Sequence, residues 1–284
     1  MAKPLVLISS RSFSTGNVDL IKILNDSGCE IRKISSEHKI EEISSDLIDA
    51  VAWIAGVAPI TDEMMAKAPN LKIISRYGVG VEAVDLASAK KRGILVANTP
   101  GANSNSVAEL TIGLIFSALR NLSIANSNVR SSNWSVIRGK EINGMIIGVI
   151  GYGKIGKLVA SKLNKLGAKI LVFDPFVSDP EIVDLELINK SAQLVTLHSP
   201  GEDLIIDQTW VDKAPHGQII INTARANLVD ESAIAEALRS GRLSFYAADT
   251  LSTENTKFDS KLLVNDLADK TLFTPHLGAQ TDKS

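Results

Sequence analysis

The 284 residues contain a single cysteine, Cys29, so no intramolecular disulfide can form and a reducing compartment is expected. The four histidines lack zinc-ligand spacing and no cysteine cluster exists, so no metal is expected. There is no Walker motif and no nucleophile elbow. Lysine and arginine are scattered, the formal net charge is −2, and no basic run marks a nucleic-acid footprint. No apolar run approaches membrane-spanning length. Lys3-Pro4 leads into Leu5-Val6-Leu7-Ile8, a strand rather than an export signal. These absences leave a cytoplasmic protein without membrane or nucleic-acid partners, long enough for one large or two medium domains.

What is present is a βα rhythm. Strands are expected at Leu5–Ser9, Cys29–Ile34, Ala50–Ile54, Lys72–Ser75 and Ile94–Ala97, with helices such as Val18–Ser27 and Thr61–Ala68 between them. Residues 98–110 break the rhythm with a turn-rich run and lead into a buried helix over 106–118. Residues 121–144 read as polar and irregular, with Trp134 an interface or packing anchor. Further strands are expected at 145–150, 170–173, Gln193–Leu197, Gln218–Asn222, Ser244–Ala248 and Thr271–Phe273. A helix over Glu231–Arg239 is capped by Asp230 and closed by Gly241. The fold class is α/β: two doubly wound parallel-sheet domains, a Rossmann domain and a flavodoxin-like one.

The informative stretch is 145–174. An apolar strand runs into Gly151-Tyr152-Gly153-Lys154-Ile155-Gly156, then an amphipathic helix, then a second strand ending in Asp174. Gly151 permits the tight turn, Gly153 lets a pyrophosphate approach the backbone, and Gly156 lets helix and strand pack closely. The helix N-terminus offers N–H groups and partial positive charge to phosphates. Asp174, 18 residues after Gly156, suits a ribose diol and repels a 2′-phosphate, which favours NAD over NADP.

Ligands of such sheets bind beyond the carboxyl ends of the strands. Polar residues just after strands of the second domain are Asp174, His198, Arg225, Asp249, Glu254 and His276. Arg225 has the chemistry to grip a carboxylate, as an always-charged bidentate guanidinium. His276 suits a general acid or base, and Glu254 can pair with a histidine and raise its pKa. His38 and His216 read as structural, His38 in a polar surface stretch.

Several segments then resemble one family over nearly the whole length. They are Arg76-Tyr77-Gly78-Val79-Gly80-Val81-Glu82-Ala83-Val84-Asp85, Asn98-Thr99-Pro100-Gly101, Ser106-Val107-Ala108-Glu109-Leu110 and Trp134 with Gly139-Lys140-Glu141-Ile142. With them go the glycine motif, His198-Ser199-Pro200, Asn222-Thr223-Ala224-Arg225 and Thr274-Pro275-His276. The chain resembles the D-isomer-specific 2-hydroxyacid dehydrogenases, and within them most resembles the phosphoglycerate dehydrogenases.

The resemblance implies that Arg225 binds the substrate carboxylate and polarises the C2 carbonyl, and that His276, paired with Glu254, exchanges the proton. It implies that Asp249 contacts the nicotinamide carboxamide and that the N–H groups of Val79 and Gly80 hold a carboxylate. Val107, Tyr152, Lys154, Ile155, Asp174, His198, Pro200 and Thr223 are implied to line the NAD site. Arg76, a cation beside Val79 and Gly80, suits a substrate phosphate. The implied arrangement is a homodimer with a substrate domain at 1–98, an NAD-binding domain at 99–278 and, at 279–284, the stub of a return crossing. The implied reaction is hydride transfer between NAD(H) and a D-2-hydroxy acid, foremost 3-phosphoglycerate on the way to serine. The alternatives are an unphosphorylated 2-oxo acid such as glyoxylate or hydroxypyruvate, or an NAD(H)-sensing corepressor-like protein.

Three departures from the family pattern stand out. Arg225-Ala226-Asn227 replaces Arg-Gly-Gly, and Asp249-Thr250-Leu251 replaces Asp-Val-Phe. The sequence also stops eight residues after His276, where the family continues through a returning helix. A truncated chain, or an uncovered groove on residues 1–97, and no C-terminal regulatory domain are expected from that.

Overall fold

The computed structural model describes residues 3–178, 182–201, 203–253 and 259–282. The chain forms two compact units, Met1–Asn103 with Ala279–Ser284, and Ser104–Gly278.

The first unit runs β1 (Leu5–Ile8), α1 (Leu20–Asp26), β2 (Glu30–Lys33), α2 (Ile40–Leu47), β3 (Ala50–Ala55), α3 (Asp62–Ala66), β4 (Ile73–Arg76), α4 (Leu86–Lys91) and β5 (Leu95–Ala97). The strands pair in parallel in the order β2-β1-β3-β4-β5, the flavodoxin-like winding. Position in the sheet explains composition. β1 is covered on both faces and reads Leu-Val-Leu-Ile, all buried, whereas edge strand β2 reads Glu-Ile-Arg-Lys. Leu7, Trp53 and Ile74 pack with Ile43, Leu47 and Met65. Full burial of each such side chain contributes roughly 1.5–3 kcal/mol. Helix starts are set by side-chain oxygens: Asp19, Thr61 and Asp85 accept the N–H of Lys22, Met64 and Ser88.

The second unit runs α5 (Ser104–Arg120), α6 (Leu122–Arg130), β6 (Ile146–Ile150), α7 (Lys154–Lys165), β7 (Lys169–Phe173), α8 (Leu185–Ser191), β8 (Leu194–Leu197), α9 (Gln208–Lys213), β9 (Gln218–Asn222), α10 (Glu231–Ser240), β10 (Leu243–Ala248) and β11 (Thr271–Phe273). Its six strands are parallel in the order β11-β10-β9-β8-β6-β7. The chain leaves β6 toward β7 and returns to β8 on the other side. The connections therefore diverge at the carboxyl ends of β6 and β8, which opens the crevice where ligands of such sheets bind. Asp230 caps α10 through the N–H groups of Ser232 and Ala233, and Gly241 ends it at φ 76°.

Three expectations need correction. The division between units falls after Asn103, not after Asn98, because Thr99 donates from its N–H and its hydroxyl to the Gly78 carbonyl. Those bonds keep the turn with the first sheet. Residues 121–144 are not wholly irregular, since α6 occupies Leu122–Arg130. Its residues are exposed or half-buried, so the helix leaves no buried apolar stripe for sequence reading to detect. His38 is not a surface residue: it is 2% exposed, held between Pro59, Ser9 and Trp53.

Among the described residues no single helix is long and apolar enough to cross a membrane. The bent pair α5–α6 passes on length and composition, but α5 buries Val107, Ala108, Leu114, Ile115 and Leu119 in the core of its own unit. No cluster of three or more His, Cys, Asp or Glu suited to a metal occurs among the described residues.

Candidate active site

The glycine turn after β6 can be tested one residue at a time. Gly151 has φ 93°, and a Cβ there would lie 2.6 Å from the His198 carbonyl carbon and the Ser199 nitrogen. A Cβ on Gly156 would collide with the Gly151 carbonyl oxygen. These two glycines are required by packing. Gly153 is not: its backbone is extended and a Cβ would meet nothing within 4 Å. Its bareness leaves open space over the start of α7, and the helix has no side-chain cap there. A glycine N-cap leaves the first-turn N–H groups, next to Lys154 and Ile155, to an anion.

The walls of that crevice are pinned. Asp174, just past β7, accepts the Tyr152 N–H on Oδ2 at 2.7 Å and the Phe176 N–H on Oδ1 at 2.8 Å. Its carboxylate is thereby aimed beside the glycine turn. Lys157 Nζ sits 5.3 Å from the Tyr152 ring centroid. His198 donates its N–H to the Ile150 carbonyl at 2.7 Å, and its Nε2 is 3.0 Å from Thr196 Oγ1. Desolvation of the ring lowers its pKa to about 3, so the imidazole is neutral at pH 7. Pro200 is exposed at the rim.

The other end of the same edge is built on β9, β10 and β11. Asn222 closes a turn, accepting the Ala224 N–H on Oδ1 and donating from Nδ2 to the Arg225 carbonyl. Arg225 is half-buried, with Nη1 donating to the Ala224 carbonyl at 2.9 Å. Gly201, at φ 92°, is what admits it: a Cβ there would lie 2.5 Å from Arg225 Cβ and 2.6 Å from Cγ. Thr223 Oγ1 is 2.8 Å from Thr111 Oγ1, and Thr111 donates to the Val107 carbonyl, which ties α5 to the end of β9.

Asp249 is 2% exposed, and its carboxylate accepts from Thr274 Oγ1 and from the N–H groups of Leu277 and Gly278. His276 is exposed at φ 54°, a left-handed conformation unusual for a residue with a side chain. Glu254 lies outside the described residues. On either side of its segment, Glu231 accepts the Ser252 N–H and the Ser260 hydroxyl.

In the first unit Arg76 is 6% exposed, donating from Nε to the Gly80 carbonyl at 3.2 Å and from Nη1 to the Ala55 carbonyl at 2.8 Å. Burial lowers its pKa, against the opposing pull of Glu82. The sequence reading set this cation beside a ligand; the fold sets it under the loop as a strut. Gly78 O accepts from Thr99, and Val79 O from Asn98 Nδ2 at 2.6 Å. In a trans peptide the N–H points opposite to the carbonyl. The Val79 and Gly80 N–H groups are therefore turned away from those donors. Asn98, Thr99 and Gly201 escaped sequence reading as site residues, although Gly201 directly follows the His198-Ser199-Pro200 segment.

Known proteins resemble this chain in sequence and in fold. Residues 112–278 match the model of the NAD-binding domain of D-isomer specific 2-hydroxyacid dehydrogenases. A D-3-phosphoglycerate dehydrogenase of Methanocaldococcus jannaschii is 36% identical over 280 residues, covering 94% of this chain and 52% of that protein. A hydroxypyruvate reductase of Thermotoga maritima is 33% identical, covering 88% of this chain and 85% of that protein. The NAD+-bound 3-phosphoglycerate dehydrogenase of Entamoeba histolytica superposes with a TM-score of 0.81 at 27% identity, over 99% of this chain and 90% of that one. The chain spans about half the length of the curated phosphoglycerate dehydrogenases it matches.

Proposed function

The chain belongs to the D-isomer specific 2-hydroxyacid dehydrogenase family, whose cofactor is NAD, and we propose that it interconverts a D-2-hydroxy acid and its 2-oxo acid. One observation carries this reading. A guanidinium at the end of β9 and an imidazole just past β11 share one sheet edge with an uncapped glycine turn.

Bound NAD supplies the hydride acceptor for oxidation, and NADH the donor for reduction. The chain's own residues supply the rest. Arg225, its stem guided past Gly201, grips the carboxylate in a bidentate way and polarises the 2-oxo group. His276 gives a proton to that oxygen in reduction and takes the hydroxyl proton in oxidation. Glu254 is the proposed partner that keeps His276 protonated until transfer. In the first unit the Val79 and Gly80 N–H groups are proposed carboxylate donors, and in the second Asp174 is the proposed ribose ligand.

For the substrate we infer 3-phosphoglycerate first, supported by the names of relatives at 34–36% identity. An unphosphorylated acid such as hydroxypyruvate is the second reading. It is supported by the engagement of the buried Arg76 with the Gly80 and Ala55 carbonyls, and by a hydroxypyruvate reductase matched over 85% of its length. We also infer a homodimer, supported by four exposed apolar side chains in one stretch of the chain, Leu122, Val129, Trp134 and Val136.

The test is NADH formation from 3-phosphoglycerate and NAD, run beside NADH oxidation with a panel of 2-oxo acids. His276→Gln should bind NADH as the parent does and turn over nothing. Turnover by that variant at the parent rate removes the assignment.

A further inference from the structure

The family resemblance gives Asp249 to the cofactor, but the structure shows its carboxylate engaged elsewhere. Asp249 lies one residue past β10, and its N–H donates across to the Asn222 carbonyl at the end of β9. Its own carbonyl accepts the His276 N–H at 3.1 Å. Oδ1 accepts the Leu277 N–H at 2.7 Å together with the Thr274 hydroxyl, and Oδ2 accepts the Gly278 N–H at 2.8 Å. Donors from both sides of His276 therefore converge on one carboxylate that is 2% exposed.

The segment so held is one that would not keep this shape unaided. His276 sits at φ 54°, a left-handed region that residues with side chains rarely adopt. The far end is fixed as well: Ser106 Oγ donates to the Gly278 carbonyl at 2.6 Å. A Cβ on Gly278 would lie 3.0 Å from Val107 Cγ2 and 3.1 Å from Asp249 Oδ2, so the segment lies flush against α5 and the carboxylate. The same residue reaches the other proposed catalytic group. The Asn222 carbonyl it binds belongs to the residue whose side chain closes the turn carrying Arg225.

We propose that Asp249 is a positioning residue for His276: its carboxylate holds residues 274–278 in the conformation that presents the imidazole for proton transfer. This rests on the dehydrogenase reading above. It adds to the carboxamide-binding role that the resemblance implies, because three protein donors around His276 already converge on this buried carboxylate.

The experiment uses the full chain with Asp249→Asn, Thr274→Val and Thr274→Ser. Asp249→Asn presents an amide that cannot accept on both sides. It should lower kcat by about 10- to 100-fold, as loss of charged hydrogen bonds does, while the NADH dissociation constant from fluorescence titration stays within about 2-fold. The histidine limb of the pH–kcat profile should move with it. Thr274→Val should reproduce the kcat loss in milder form and Thr274→Ser should restore it, which keeps the test alive if Asp249→Asn fails to fold. Weakened NADH binding with kcat retained at saturating NADH would overturn the proposal, as would a Thr274→Val variant with parental kcat. A second readout needs no turnover: the His276 ring resonances in proton NMR should broaden and titrate differently in both variants. Unchanged resonances overturn the positioning role. Absence of turnover by the parent chain overturns the dehydrogenase reading instead.

Discussion

The Asn98 side-chain amide donates to the Val79 carbonyl at 2.6 Å, and this bond turns the Gly80 N–H the opposite way. If that N–H binds the acid's carboxylate, Asn98→Ala should raise the KM for the acid by about 10-fold, the effect of losing one hydrogen bond's worth of orientation. Steady-state kinetics with the better acid, alongside an NADH titration that stays unchanged, checks this.

Arg76 holds the same loop from below. Arg76→Met leaves the Gly80 carbonyl without its donor, while Ala55 keeps the Tyr77 N–H, and should cost about 1–3 kcal/mol of stability. Thermal unfolding measures it. Turnover should fall alike for phosphorylated and unphosphorylated acids. A loss confined to the phosphorylated acid would restore Arg76 as a phosphate ligand.

Gly201→Ala places a side chain at φ 92° and drives its Cβ into the stem of Arg225. A displaced guanidinium should lower kcat/KM by roughly 100-fold. NADH affinity should change little, since Arg225 is not proposed to touch the cofactor. Parental kinetics for this variant would show that the Arg225 stem need not pass there.

Two histidines set an acid limit. His38 donates from Nδ1 to the Pro59 carbonyl, which can only accept; in the neutral ring Nε2 then accepts the Ser9 hydroxyl, whose oxygen accepts from Trp53 Nε1. Burial, aided by the Arg76 charge, lowers its pKa, and burial alone takes His198 to about 3. Both folded pKa values lie below the ordinary 6.5. The unfolded chain therefore binds the extra protons, and each ring's contribution, present above pH 6.5, is lost as pH falls through its folded value, about 3 for His198. Each histidine contributes a slope of up to about 1.4 kcal/mol per pH unit in that window. Denaturant unfolding between pH 7 and 4 should show a shallower decline for His38→Asn than for the parent. An identical decline would mean that His38 does not titrate on unfolding.

Local rules made much of the molecule legible. The alternation of apolar runs with helical periods gave the strands of both sheets to within a residue or two, and Asp230 and Gly241 marked the ends of α10 as capping chemistry requires. Gly151 and Gly156 revealed the turn because one takes a left-handed φ and the other must clear the Gly151 carbonyl. Legibility failed where a residue's partners come from distant strands. His38 sits in the polar run Ser35-Ser36-Glu37-His38-Lys39, and only Ser9 from the end of β1 and Trp53 from β3 make it a core residue. Helix α6 was hidden because a helix that buries no stripe leaves no period to read.

By itself the sequence determined where strands turn into helices, that a glycine turn follows β6, and which polar residues follow strand ends. Those properties depend on neighbours a few positions away, through sterics, capping and periodicity. The tertiary structure alone decided what those polar residues are bound to. Arg76 became a strut because the Ala55 and Gly80 carbonyls converge on it in the folded sheet, and Asp249 became the anchor of the His276 segment because β10 and β11 end side by side. A charged side chain one residue along a strand faces ligand or protein according to which hydrogen-bonding groups the other strands bring within 3 Å, and no local pattern records that.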